Sequence, residues 1–135
     1  MSKHRVHPLS YQTQQLMLGW LVSNGDLTEK EAKYCFICPV TDDKMAPQLR
    51  VGGLYVCRST PPAWHSDLVG KVVDVWLVDE ADKPLDRHVV GRLTAIDSER
   101  LYLSYDDEAF APSQIERSQA ANVSLVLLVL NRPVV

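Results

Sequence analysis

The fold of this chain turns on residues 40 to 56, VTDDKMAPQLRVGGLYV. A paired aspartate, a Met-x-Pro step and a Gly-Gly break are turn-forming signals, each common in ordinary surface turns. From Leu54 the pattern changes to an apolar, β-prone run reaching Arg58. Similar runs recur at Val72 to Val78, His88 to Ile96, Arg100 to Tyr105 and Asn122 to Leu130, rich in Val, Leu, Tyr and Trp. Turn signals such as Asp79-Glu80-Ala81-Asp82-Lys83-Pro84 and Asp97-Ser98 separate them. The β-type signal begins at Phe36, and little helix intervenes after it.

The expected fold class is therefore mainly β (α+β), a twisted, partly closed antiparallel β-structure. In the run Val72 to Val78, Val72, Asp74, Trp76 and Val78 share one face and Val73, Val75 and Leu77 the other. Both faces are largely apolar, which predicts a central strand.

Residues 1–35 read differently and form an N-terminal helical segment ahead of a β domain spanning residues 36–135. Leu16, Met17, Leu18, Trp20 and Leu21 fit a short amphipathic helix, which Asn24-Gly25 should stop. Thr28 with Glu31 three residues later is a capping-box pattern, predicting a second helix to about Tyr34. Two helices joined by a glycine turn invite a helix-turn-helix reading. Against it stand Glu29 and Glu31, which would face phosphates, and the small basic complement of the segment: Lys3, Arg5, Lys30 and Lys33 against Asp26, Glu29 and Glu31. A helical hairpin packed on the domain or on a partner is the expectation.

The 40 to 56 stretch also resembles the signature of the self-cleaving serine/lysine peptidase domain of LexA-type repressors, phage repressors and mutagenesis proteins, which runs GDSMxPxxxxGDLxxV. Asp43, Met45, Pro47, Gly52, Leu54 and Val56 fall in register, with Gly53 beside Gly52. Lys44 stands where the family has its nucleophilic serine. The family's general-base lysine lies in a context like VVKRL, and here Val89-Val90-Gly91-Arg92-Leu93 places Gly91 at that position. Leu101 to Pro112 resembles a later family segment, LLPxNPxYxP, and Val123 to Leu130 takes the place of the final strand. The likeness runs from Val40 to Asn131, with extra length around Arg58 to Asp67. It implies the fold of the LexA C-terminal domain, a homodimer through the C-terminal part, and a cleft that in active relatives receives the chain's own cleavage segment.

The chemistry of that pair explains why both changes matter. A serine hydroxyl needs a neighbouring base to take its proton, and in this family a desolvated neutral lysine does so. Lys44 is an amine that would itself need a base, and Gly91 has no side chain. The resemblance thus implies a catalytically dead pseudo-peptidase. Nor does Tyr34 to Asp42 offer the small-residue/Gly scissile pair of self-cleaving members.

Composition bounds the rest. The chain has 135 residues, 46% hydrophobic and 23% charged, enough for one compact core. A net charge of −3 argues against DNA as the main partner. The longest apolar run, Leu125 to Leu130, falls short of the roughly 20 residues that span a bilayer, and no apolar leader opens the sequence. With three cysteines, the expectation is a soluble cytoplasmic chain with free thiols.

Other chemistries read weakly. Cys35-x-x-Cys38 has metal or dithiol spacing, but completing a site would need Cys57, His65 or His88 from elsewhere; the alternative is two small apolar residues at the start of a strand. His4 and His7 form a chance HxxH. Ser66 beside His65 lacks an orienting third group. No cofactor, metal or small-molecule substrate is expected. Trp64, in a proline-stiffened loop, is either an interface anchor or a cover for one end of the sheet. Leu125, Leu127 and Leu128 join it as candidate interface residues, because an apolar strand at a free edge would need a symmetric partner.

The expected function is a non-catalytic, homodimeric regulator acting by protein contacts on a repressor or related transcriptional regulator, in a phage, prophage or bacterial SOS setting. The alternatives are an accessory subunit of a translesion polymerase and a peptidase with a displaced nucleophile.

Overall fold

A computed structural model of the chain describes residues 10–79, 81 and 83–130. Helix α1 spans Tyr11–Ser23 and the single turn α2 spans Glu29–Ala32. Seven strands follow: β1 (Cys35–Pro39), β2 (Leu54–Ser59), β3 (Val72–Val78), β4 (Pro84–Ile96), β5 (Arg100–Ser104), β6 (Ser113–Glu116) and β7 (Ala120–Leu130). Every pairing is antiparallel, and the order β1-β2-β7-β3-β4-β5-β6 makes one open sheet with β1 and β6 at its edges. The fold is mainly β and antiparallel as expected, but the sheet is open rather than partly closed, because β1 and β6 do not pair with each other.

The N-terminal signals act locally. The Ser10 hydroxyl accepts from the Thr13 N–H to cap α1, and Gly25, at φ 82°, turns the chain after the Asn24 C-cap. Thr28 and Glu31 form the capping box reciprocally at 2.9 and 3.0 Å. The second helix ends at Ala32, two residues before the sequence pattern suggested. Leu18 and Leu21 bury against Ile37 and Val56, whereas Leu16 and Trp20 point outward. The side chain of Gln14 accepts from the Ile37 N–H at 3.1 Å, so α1 also blunts the β1 edge.

β2 divides the core because its residues alternate across the sheet. Val56 packs under α1, while Tyr55 and Cys57 join Cys38, Val40, Met45, Leu49 and Tyr105 on the opposite side. Farther along, Val73, Val75, Leu93, Leu101, Leu103, Ile115 and Val123 form a third buried cluster with Leu68. β3 lies between β7 and β4, the central position that its two apolar faces predicted.

One expectation is corrected in part. β7 is not a free edge along its length: residues 124–130 pair with β2 and residues 120–125 with β3, so past Leu125 the strand is paired on its β2 side alone. A symmetric partner is not needed to hold this strand in the sheet. Leu125 packs on the β3–β6 cluster, and Leu127 and Leu128 pack on the α1 cluster. Two apolar faces mark a strand buried in the middle of a sheet as readily as one seeking a partner. The short β6 has no counterpart in the sequence pattern, since Ser-Gln-Ile-Glu carries a single apolar residue. Among the described residues, no helix is long and apolar enough to cross a membrane.

Candidate functional site

The loop from Val40 to Gly53 is built by its own polar residues. The Asp42 carboxylate accepts from the Lys44 N–H at 3.0 Å, and that of Asp43 accepts from the Val51 N–H at 3.2 Å. Ala46-Pro47 is a cis peptide, and Gly52, at φ 96°, makes the reversal that lets the Val40 N–H donate to the Gly53 carbonyl at 2.9 Å. Met45 and Leu49 point down into the core, where Met45 and Leu49 lie beside Tyr55 and Tyr105. Asp43, Met45, Pro47, Gly52 and Gly53 thus hold one turn in place.

That turn is docked on the segment after β5. The Asp107 N–H donates to the Lys44 carbonyl at 2.9 Å, and the Asp106 N–H approaches the Met45 sulfur at 3.4 Å. The Lys44 ammonium lies 5.1 Å from the centre of the Tyr105 ring and 5.8 Å from that of Phe110, a cation held by aromatic faces. Gly91, on β4, faces the same ring. A Cβ added there would stand 3.2 Å from Tyr105 Cε1, 3.2 Å from the Ser104 carbonyl oxygen and 3.3 Å from Leu103 Cβ. Tyr105, anchored by its hydroxyl donating to Ser113 at 2.8 Å, therefore touches both positions, which are far apart in sequence. A lysine introduced at Gly91 would have to displace that ring.

A second polar cluster was not foreseen. Asp74 is fully buried on β3; it accepts from the Tyr55 hydroxyl at 2.8 Å and from His88 Nδ1 at 2.7 Å. The Cys57 sulfur lies 3.9 Å from the same carboxyl group. His88 stacks on Trp76 with ring centres 4.3 Å apart, and its Nε2 is buried with no hydrogen-bond partner among the described residues. The clue in the sequence was Asp74 itself: a lone acid in an apolar central strand must find donors on its neighbours. Burial, then the nearby Asp74, push the Cys38 thiol up to about 12 and raise the Cys57 thiol and Tyr55 hydroxyl still further. Such thiols are poor nucleophiles at neutral pH.

The weaker candidates separate. Cys35 and Cys38 lie three apart on a strand, so they face opposite sides of the sheet, one toward α1 and one toward Tyr55. No group of three or more His, Cys, Asp or Glu among the described residues is placed to hold a metal. His65 is buried, its Nε2 3.0 Å from the Thr60 carbonyl, and the adjacent Ser66 is exposed. Trp64 sits on a 3₁₀ segment, Pro62–Leu68, and is 62% exposed, which removes the reading of it as a cover for the sheet end. His4 and His7 lie outside the described residues. No family model matches the chain, and no curated protein matches it either.

Proposed function

We propose that this chain is a non-catalytic relative of the LexA-type peptidase domain, a homodimeric regulator that acts by protein contacts on a repressor or a related transcriptional regulator. The observation that supports it best is the position of Tyr105. Two residues assigned to a catalytic pair by resemblance alone, Lys44 and Gly91, meet the same ring in space. A chance likeness over a short loop gives no reason for them to converge. At that convergence the hydroxyl is replaced by an ammonium and the base by a hydrogen, and the space between them holds an aromatic ring.

A peptidase with a displaced nucleophile finds little support elsewhere. His65 is buried against the Thr60 carbonyl while Ser66 is exposed, and the Cys57 thiol beside Asp74 is held protonated by burial. Direct DNA reading by the helices is disfavoured by the length of α2, a single turn. The translesion accessory subunit has no observation of its own.

The test is chemical. Held at alkaline pH, which activates lysine-dependent self-cleavage, the chain should stay at full length; fragments ending between residues 30 and 42 would overturn the reading. Restoring the pair requires Lys44→Ser and Gly91→Lys together with Tyr105→Ala to open the space. That variant should label with a serine-directed phosphonate while wild type does not. Absence of label in the folded variant would mean that Lys44 and Gly91 are not the dyad positions.

A further inference from the structure

Well apart in sequence from the Lys44 loop, a groove of about 520 Å³ opens between α2 and the turn that follows β2. Tyr34 and Trp64 stand among its lining residues, 64% and 62% exposed. Both rings rise from backbone that is already fixed. The Tyr34 N–H donates to the Glu31 carbonyl at 3.0 Å behind the capping box, and the Trp64 N–H to the Pro61 carbonyl at 2.9 Å. Pro61 and Pro62 stiffen the turn further. Exposed aromatic rings on rigid elements provide contact area at low entropic cost.

The charges in the groove have one sign to spare. Arg58 and Lys30 line it, and neither has an ion pair or side-chain hydrogen bond with another described residue. The Glu31 carboxylate is already committed to Thr28, whose N–H holds its pKa below the ordinary value, with Arg58 adding a smaller effect. Lys30, Arg58 with only the Glu31 charge acting on it, and two exposed rings fit a ligand with carboxylates on either side of a flat or cyclic apolar group. A nucleic acid fits less well, because the chain carries a net charge of −3 and, among the described residues, Lys30 and Arg58 are the two cations that line the groove. The volume suits a few residues of extended chain rather than a folded surface.

We infer that this groove binds an extended acidic segment of another protein, with a proline or aromatic ring against Trp64 and Tyr34 and carboxylates on Arg58 and Lys30. The inference uses no residue of the Lys44 loop and does not depend on the family resemblance. It is tested by nuclear magnetic resonance on the full chain with three probes: a decapeptide bearing Pro-Trp between glutamates, the same peptide with lysines for glutamates, and an oligothymidylate. The acidic peptide should move the Trp64 indole signal and the amides of Lys30, Tyr34 and Arg58, with a dissociation constant on the order of 100 μM. Trp64→Ala and Lys30→Glu, both at exposed positions that leave the rest of the spectrum in place, should each weaken it about tenfold. Equal shifts from the lysine peptide, indifference to both substitutions, shifts from the oligothymidylate alone, or no shifts from any probe would each overturn the proposal.

Discussion

Two polar clusters lie on the same side of β2 and β3, and they treat charge in opposite ways. Around Lys44 the ammonium is only partly buried and rests on the faces of Tyr105 and Phe110, with water as an alternative partner. Around Asp74 the acid has left water altogether, and each carboxyl oxygen is met by a donor. The first arrangement can lose a member and be re-solvated. The second cannot, because whatever remains is stranded in an apolar interior.

The comparison breaks most sharply at Asp74. Asp74→Ala would leave the Tyr55 hydroxyl and His88 Nδ1 without their acceptor, and stability in urea should fall by about 3 kcal/mol or more. A loss below about 1 kcal/mol would mean that water reaches the cluster. Next comes Leu128→Glu, which places an acid in the α1 cluster and should cost about 3 kcal/mol, while Val129→Glu, at an exposed position on the same strand, should change stability by under about 0.5 kcal/mol. Light scattering of the Val129 variant asks in addition whether that face carries a dimer. Gly91→Ala should cost about 1–3 kcal/mol, since its methyl would meet the backbone oxygen of Ser104 as well as the Tyr105 ring; Tyr105→Ala in the same chain should recover part of it. The smallest effect is at Lys44→Ala, about 0.5–1 kcal/mol for an exposed cation–π contact.

Thiol chemistry sharpens the contrast without mutation. With the Cys38 thiol pushed up to about 12 and Cys57 higher, neither forms appreciable thiolate at pH 8 in the folded chain. Cys35, half-buried and raised less, should react first with iodoacetamide, and the other two only after denaturation. Alkylation of Cys38 at the rate of Cys35 in native conditions would show the interior around Asp74 opening readily.

How much of this could be read from the residues follows from the range of the forces involved. Caps and turns are decided within four residues, so Asn24-Gly25, Thr28 with Glu31 and the Gly52 reversal were legible. The central place of β3 was legible from its two apolar faces. β7 showed the same pattern and was assigned to an edge, because its position in the chain suggested an end while its position in the sheet depends on which strands leave a gap. The helical stripe of α1 was misread at Leu16 and Trp20: the sequence shows an apolar side chain but not whether the sheet is wide enough to cover it. Lys44 and Gly91 were both singled out, yet Tyr105 was seen only as part of a segment, since nothing local says that its ring reaches across to both. The Asp74 network stayed hidden because its donors come from two other strands, β2 and β4.

The place of β7 also bears on how the molecule assembles. β1 with β2 and β3 through β6 are blocks made of neighbours in the chain, and β7, which follows them all, is the one among the described strands that pairs with both blocks. During synthesis both blocks would emerge with a naked inner edge, β2 on one and β3 on the other, and wait for the same strand. A nascent chain stalled before Ala120 would therefore hold two half-sheets tied by the chain between Ser59 and Val72 and by contacts such as Tyr55 to Asp74, with no backbone ladder between them. Pairing across such sequence distances is slow, and the two waiting edges are where a chaperone or a neighbouring nascent chain would attach first.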